Sequence, residues 1–274
     1  MERLHNIDRL SLNQITTDRL HMKEAVDVYA RADVPWIALW RHKVAEAGLA
    51  ESKRLVRDAG LRVSSLCRGG YFPAATATER KERMDDNRRA VEEAAELGTD
   101  VLVLVCGPAP DRDIDFARKT VEQSIAELAP FARSHGVKLG IEPLHPMFAA
   151  QRSVINTLGQ ANTLAEKFSA EDVGVVIDAY HVWWDPELYT QIERSRGRIL
   201  GFHVSDWIAP LPDMLLGRGM MGDGFIELRR MRHAVEAAGY TTGPIEVEIF
   251  NQQVWDMDGD AALALIKERY LEHC

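Results

Sequence analysis

The chain has three cysteines in 274 residues, odd in number and with no Cys-x-x-Cys spacing. That pattern points away from a disulfide framework, and Cys67, Cys106 and Cys274 read as the reduced thiols of a cytoplasmic protein. No stretch reaches the roughly 18 consecutive apolar residues of a membrane span, and residues 1–6 lack the apolar core of a signal peptide. Positive charge is in deficit: 33 lysines and arginines stand against 42 acidic residues, for a net charge of −9. Such a balance argues against a nucleic-acid partner. What is plentiful is apolar material, 46% of the chain, ample for a core, with an ordinary 27% of charged residues. There is no linker, low-complexity stretch or break in composition, so residues 1–274 read as one domain.

Four short apolar runs stop at a hard donor. They are Val137-Lys138-Leu139-Gly140-Ile141-Glu142, Val173-Gly174-Val175-Val176-Ile177-Asp178, Ile199-Leu200-Gly201-Phe202-His203 and Pro244-Ile245-Glu246-Val247-Glu248. Each reads as a buried strand rich in β-branched residues, with a predicted helix after it. Strand-then-helix repetition implies a parallel sheet, and in a closed (β/α)8 barrel, typically about 250 residues long, every strand end opens on one face. Glu142, Asp178, His203 and Glu248 would then converge at one mouth. Three carboxylates and an imidazole suit one divalent cation: Mn²⁺ first, with Mg²⁺, Zn²⁺ and Co²⁺ also compatible.

The remaining strands are expected at residues 10–15, 34–39, 61–67 and 101–105, the last an uninterrupted apolar run as in a sheet covered on both faces. Helices are expected near residues 42–59, 77–97, 115–134, 156–168, 226–238 and 260–272. Another follows the first strand, with Met22, Ala25, Val26 and Tyr29 on one face. Gly60 and Gly98 stand as helix-terminating glycines. About twenty residues separate Asp206 from the next helix, and loops of that length inside a compact domain are usually functional.

The motifs Ile141-Glu142-Pro143, Ile177-Asp178-Ala179-Tyr180-His181, Gly201-Phe202-His203-Val204-Ser205-Asp206, Gly222-Asp223-Gly224 and the run from Gly239 to Glu248 resemble the xylose-isomerase-like superfamily of TIM barrels. The resemblance implies a metal held by Glu142, Asp178, His203 and Glu248, a substrate contact from His181, and a ketose-like substrate that chelates the ion. It further implies that Glu142 and Glu248 act as an acid/base pair, removing and returning a proton beside a metal-bound carbonyl through an enediolate. Neither the extra His and Glu ligands of the endonuclease IV branch nor the second metal site and catalytic lysine of the larger xylose isomerases are found. The one-metal isomerase/epimerase subgroup matches best. A lyase or dehydratase acting on a keto-cyclitol, a dehydroshikimate-like acid or a 3-keto-glycoside shares the first chemical step. A non-catalytic metal-binding barrel would have lost one of the two glutamates. Relatives of this kind are often dimers or tetramers, so a homo-oligomer is compatible, although no stretch marks an interface.

Other residues carry two readings each. Glu246 shares the face of Glu248 one layer deeper and could pair with a buried basic group. Asp206 either orients a ligand from behind or caps the following loop. Arg218 is a substrate contact or an exposed loop arginine, and His145 and Trp183 are candidates for the pocket wall, the latter with Trp184, Phe72 and Trp36. Gly222-Asp223-Gly224 reads as a turn rather than a phosphate loop. No cluster of lysines or arginines is apparent at the strand ends, which weighs against sugar phosphates.

Overall fold

The computed structural model describes residues 2–274. Eight parallel strands close into a barrel: β1 (Leu10–Asn13), β2 (Trp36–Trp40), β3 (Arg62–Gly70), β4 (Val101–Val105), β5 (Lys138–Ile141), β6 (Val173–Asp178), β7 (Ile199–Val204) and β8 (Ile245–Val247). Each strand pairs with its neighbours in chain order, and β8 closes on β1 through Leu10 opposite Ile245 and Leu12 opposite Val247. This is the (β/α)8 architecture expected from the strand–helix alternation. Among the described residues no helix is long and apolar enough to cross a membrane, and all three cysteines are free and buried.

Alternation along each strand decides which residues line the barrel and which pack under the helices. In β4 all five residues are buried: Leu102 and Leu104 join the large core between sheet and helices, while Val101 and Val103 join Cys67 and Val176 in a separate apolar cluster inside the barrel. Val176 precedes Asp178 by two residues, so this cluster forms an apolar layer beneath the charged strand ends.

The helices follow their sequence signals closely where caps are strong. The helix Ala77–Leu97 starts at Thr76, whose hydroxyl accepts from the Glu79 amide at 3.2 Å, and ends at Gly98 in the left-handed region. The helix expected over 42–59 is broken into Arg41–Ala47 and Leu49–Asp58, because Gly48 adopts φ 90° between them. Strand β2 starts two residues later than expected and runs on to Trp40, since Val34 and Pro35 form the approach to it. Strand β3 extends through Arg68, Gly69 and Gly70, past residue 67, the expected end of the strand. Between β6 and β7 the aromatic connection contains two short helices, Ala179–Val182 and Leu188–Arg194.

The long segment after β7 is not a plain loop. Asp206–Trp207 pairs antiparallel with Arg218–Gly219, Trp207 opposite Arg218, to form a small ribbon. It turns the chain back over the barrel mouth, and that return is what positions Arg218.

Candidate metal centre and its surroundings

The donor residues sit where strand ends hand over to the next segment. Glu142 follows the last residue of β5, and its amide is held by the Leu104 carbonyl at 3.2 Å. Asp178 ends β6 and caps the short helix behind it, accepting from the Tyr180 amide at 2.9 Å. His203 lies opposite Asp178 on one side and opposite Glu246 on the other. Glu248 follows β8, tied by its amide to the Val204 carbonyl at 3.1 Å. One ligand atom from each of Glu142, Asp178, His203 and Glu248 can be chosen so that all lie within 4.8 Å of one another, and all four residues are buried. The sequence-predicted tetrad therefore comes together.

Its fit to a cation can be tested on its own atoms. His203 Nδ1 stands 3.2 Å from Glu142 Oε1 and 3.6 Å from Glu248 Oε2. Yet both Nδ1 and Glu142 Oε1 are buried without a hydrogen-bond partner among the described residues. Buried polar atoms are rarely left so. Three oxygen donors and one nitrogen aimed at a shared space are what a divalent cation accepts, so the residues fit the metal that the sequence implies.

Electrostatics set Asp178, Glu248 and His203 apart. Burial pushes the Asp178 carboxyl up to about 7, outweighing the nearby Arg218. Burial also works to raise Glu248, but Arg218 and His203 prevail and hold it well below the ordinary carboxylate range. Burial disfavours the His203 imidazolium, yet the carboxylates of Glu246, Glu142 and Glu248 raise it well above the usual value. Glu246 does pair with a buried basic group. Its Oε1 stands 3.4 Å from His203 Nε2, so the Nδ1 side of the ring faces the tetrad.

Arg218 is no exposed loop arginine. It is buried, and its Nη1 donates to Asp178 Oδ2 at 2.8 Å and to Glu248 Oε2 at 3.0 Å. Its guanidinium lies 4.7 Å from the Tyr180 ring centroid and 4.9 Å from that of Phe250. Its Nη2 faces His181 Nε2 at 3.2 Å. Burial and then Arg218 hold His181 well below its usual pKa, so the ring is neutral. With Nε2 accepting from Arg218, the proton sits on Nδ1, a buried atom with no partner among the described residues.

Asp206 takes the second of its two readings. Its oxygens accept from the amides of Trp207 (2.8 Å), Gly222 (2.9 Å) and Ile226 (3.0 Å), and none of its hydrogen bonds reaches a residue of the tetrad. Instead it organises the returning loop, which explains the Gly-Asp-Gly turn. Gly222 has φ 90°, and a Cβ on Gly224 would meet the Trp207 carbonyl at 2.2 Å and Asp206 Oδ1 at 2.7 Å.

His145 and Trp183 stand in an aromatic wall rather than against the tetrad. The His145 ring lies 5.5 Å from Trp184 and 5.0 Å from Trp207, and Trp183 lies 5.4 Å from Trp207. Burial lowers the His145 pKa, leaving it neutral. Two expected wall residues are elsewhere. Trp36 begins β2, at the far end of the barrel from the mouth, where it carries the Arg62 guanidinium on its ring at 3.7 Å. Phe72 is buried in the main core.

The opposite side of the mouth holds residues that the strand-end motifs did not flag. Asn13, at the end of β1, donates from Nδ2 to Glu246 Oε1 at 2.7 Å and to Glu248 Oε1 at 3.1 Å, while its Oδ1 accepts from Trp40 Nε1 at 2.6 Å. Trp40 and Cys67 then line a cleft of about 420 Å³ with Arg41, Arg68, Tyr71 and Arg83. Three arginines thus gather at the ends of β2 and β3, contrary to the expectation of no such cluster, because residues 41, 68 and 83 meet only in space.

A model of the xylose isomerase-like TIM barrel family matches residues 24–269. The chain belongs to that family. A crystal structure of a protein from Sinorhizobium meliloti 1021 superposes with a TM-score of 0.95 at 48% identity, covering 98% of this chain and 99% of that one. The IOLI protein with a bound zinc atom superposes at 0.84 with 18% identity, over 96% and 97% of the two chains. In sequence, an inosose isomerase of Halalkalibacterium halodurans is 26% identical over 156 residues, 54% of this chain and 52% of that protein. The match therefore spans about half the length of that curated relative.

Proposed function

We propose that the protein is a divalent-metal-dependent sugar isomerase or epimerase that abstracts a proton next to the carbonyl of a ketose or keto-sugar derivative. The observation that carries this reading is the buried tetrad of Glu142, Asp178, His203 and Glu248, in which His203 Nδ1 and Glu142 Oε1, 3.2 Å apart, have no hydrogen-bond partner among the described residues. Membership of the xylose isomerase-like family, and likeness to an inosose isomerase and to a protein whose structure contains zinc, support it. Mn²⁺ suits an oxygen-rich set with one imidazole, and Zn²⁺, Mg²⁺ and Co²⁺ are compatible with the same donors.

A bound cation would polarise the substrate carbonyl and stabilise the negative charge that develops on deprotonation. The chain's own residues supply the rest. Glu248 is ionised at neutral pH because Arg218 and His203 hold its pKa down against burial, so its oxygens are free of a proton and can receive the one from the C–H bond. Glu142, carrying a proton taken from solvent, returns it to carbon from the other side, Glu248 gives the abstracted proton up to solvent, and the pair exchanges roles in the reverse direction. Neutral His181 offers its Nδ1–H to a substrate oxygen, fixed in that tautomer by Arg218. Apolar Val101, Val103, Val176 and Cys67 beneath the charged layer exclude water from below.

A second reading, a lyase or dehydratase on the same scaffold, is favoured by the aromatic wall of Tyr180, Trp183, Trp184, Trp207 and His145, which could face a bulkier keto-glycoside or keto-cyclitol. NMR of a panel of free ketoses, sugar phosphates, inososes and a 3-keto-glycoside, incubated with Mn²⁺-loaded protein in deuterated water, tests both. Deuterium beside a carbonyl with an intact skeleton supports the isomerase or epimerase; loss of water or an aglycone supports the lyase. Exchange in none of the panel argues against both.

A further inference from the structure

The cleft beside the tetrad has a charge pattern that the proton-transfer chemistry does not use. It lies between the ends of β2 and β3 and the first half of the helix Ala77–Leu97, and it adjoins the site through two of its walls. Trp40 donates to Asn13, which holds Glu248. The Cys67 thiol is raised by burial and then by the charges of Glu248 and Glu142.

Of its three arginines, Arg41 is neutralised: it donates to both oxygens of Asp86 (2.8 and 3.1 Å) and of Glu93 (2.5 and 3.2 Å). The other two are not. Arg68 makes no hydrogen bond or ion pair among the described residues, and its guanidinium stands over the Tyr71 ring, 3.9 Å from the centroid. Arg83 donates from Nη1 to the Tyr71 carbonyl at 3.1 Å and has no carboxylate within ion-pair distance among the described residues. The acidic residues on the same lining do not cancel them. Asp86 is occupied by Arg41 and Arg89, and Glu82 is exposed at the rim. In a chain of net charge −9, two half-buried guanidiniums without acidic partners face one cavity. Stacking on Tyr71 fixes the Arg68 fork while leaving its edge donors open, the arrangement that recognises planar or tetrahedral oxyanions.

We infer that the substrate carries an anionic group, a carboxylate or a phosphoryl, which Arg68 and Arg83 receive in this cleft while the keto end reaches the tetrad. The inference rests on the reading of the tetrad as a site for keto-sugars and narrows its substrate class to acidic ones. A neutral polyol would leave both guanidiniums unmatched.

Calorimetry on Mn²⁺-loaded protein with D-fructose, D-fructuronate and D-fructose 6-phosphate tests it. An anionic ketose is expected to bind at least about tenfold more tightly than D-fructose. In the double variant Arg68→Gln/Arg83→Gln that advantage should shrink to within about twofold while Mn²⁺ affinity is unchanged. A preference for the carboxylate or for the phosphate identifies which group the cleft takes. Equal binding of neutral and anionic ketoses, no heat from either anionic ketose, or a preference that survives in the double variant would each overturn the inference. The two readings fail separately. An arginine-dependent anion preference without deuterium exchange in any ketose would sink the isomerase and leave the anion subsite. Exchange in a neutral ketose with no anion preference would do the reverse.

Discussion

Replacing Arg218 with Met removes the only guanidinium between two buried carboxylates and keeps an unbranched side chain between Tyr180 and Phe250. At 2.8 and 3.0 Å from Asp178 and Glu248, each pair is worth roughly 5–6 kcal/mol of gross Coulomb energy at an effective dielectric of about 20. Much of that is offset by the cost of burying the charges, and breaking a buried pair by deleting one partner typically costs about 3–5 kcal/mol. At about 2–4 °C per kcal/mol for a chain approaching this size, the metal-free variant should melt roughly 6–20 °C below the wild type. Removing a cation from beside the tetrad should also favour another cation there. Saturating Mn²⁺ is therefore expected to raise the melting temperature more in the variant than in the wild type. Differential scanning fluorimetry of stripped and Mn²⁺-loaded samples reads both effects. Equal melting temperatures without metal, or a smaller metal-induced rise in the variant, would refute Arg218 as the counter-charge of an incomplete metal site.

Three further outcomes are expected. Glu248→Gln should keep the fold and measurable Mn²⁺ binding but lose turnover by about 10²–10⁴-fold, the usual worth of a general acid/base; a steady-state assay with wild-type rates would remove Glu248 from that role. Mn²⁺ affinity should rise with pH. Asp178, raised to about 7 by burial in the metal-free protein, is protonated below that value and must lose its proton to ligate. The His203 imidazolium, raised well above its usual value by the surrounding carboxylates, must also lose its proton to ligate, so the apparent Kd should fall by more than about fivefold between pH 6 and pH 7 in calorimetry, with proton release on binding; a flat profile would count against Asp178 and His203 as ligands. Glu246→Gln, which keeps the shape but removes the charge facing His203 Nε2, should weaken Mn²⁺ by about 10–100-fold, and an unchanged Kd would mean that His203 does not need this carboxylate to present Nδ1.

The four donors were readable because each terminates a β-branched run, and a charged residue at the end of a buried strand has few places to go except the barrel mouth. Arg218 could not be assigned, since its burial depends on a two-residue ribbon whose pairing leaves no periodic signal. Asn13 was within reach. The polar residues Ser11 and Asn13, which interrupt the apolar pattern of β1, alternate toward the barrel interior, where Ser11 meets Ser64 and Asn13 meets Glu246. That interruption is the inward face of the strand. Trp36 and Trp40 illustrate the opposite problem: four residues apart on one strand, they sit at opposite ends of the barrel, so placing either depends on where β2 starts. Arg41, Arg68 and Arg83 come from three separate elements, and the pairing of β2 with β3 and the packing of the helix Ala77–Leu97 on β3 bring them to one cleft.

Solvent-deuterium incorporation, followed by NMR on whichever keto-sugar of the panel exchanges, tests the central claim most directly when run on three samples of one preparation: Mn²⁺-loaded, chelator-stripped and Mn²⁺-restored. The account predicts exchange at a carbon beside the carbonyl in the loaded sample, its loss on stripping and its return on restoration. Exchange at the same rate in the stripped sample would contradict a metal-dependent proton abstraction by the Glu142, Asp178, His203 and Glu248 site.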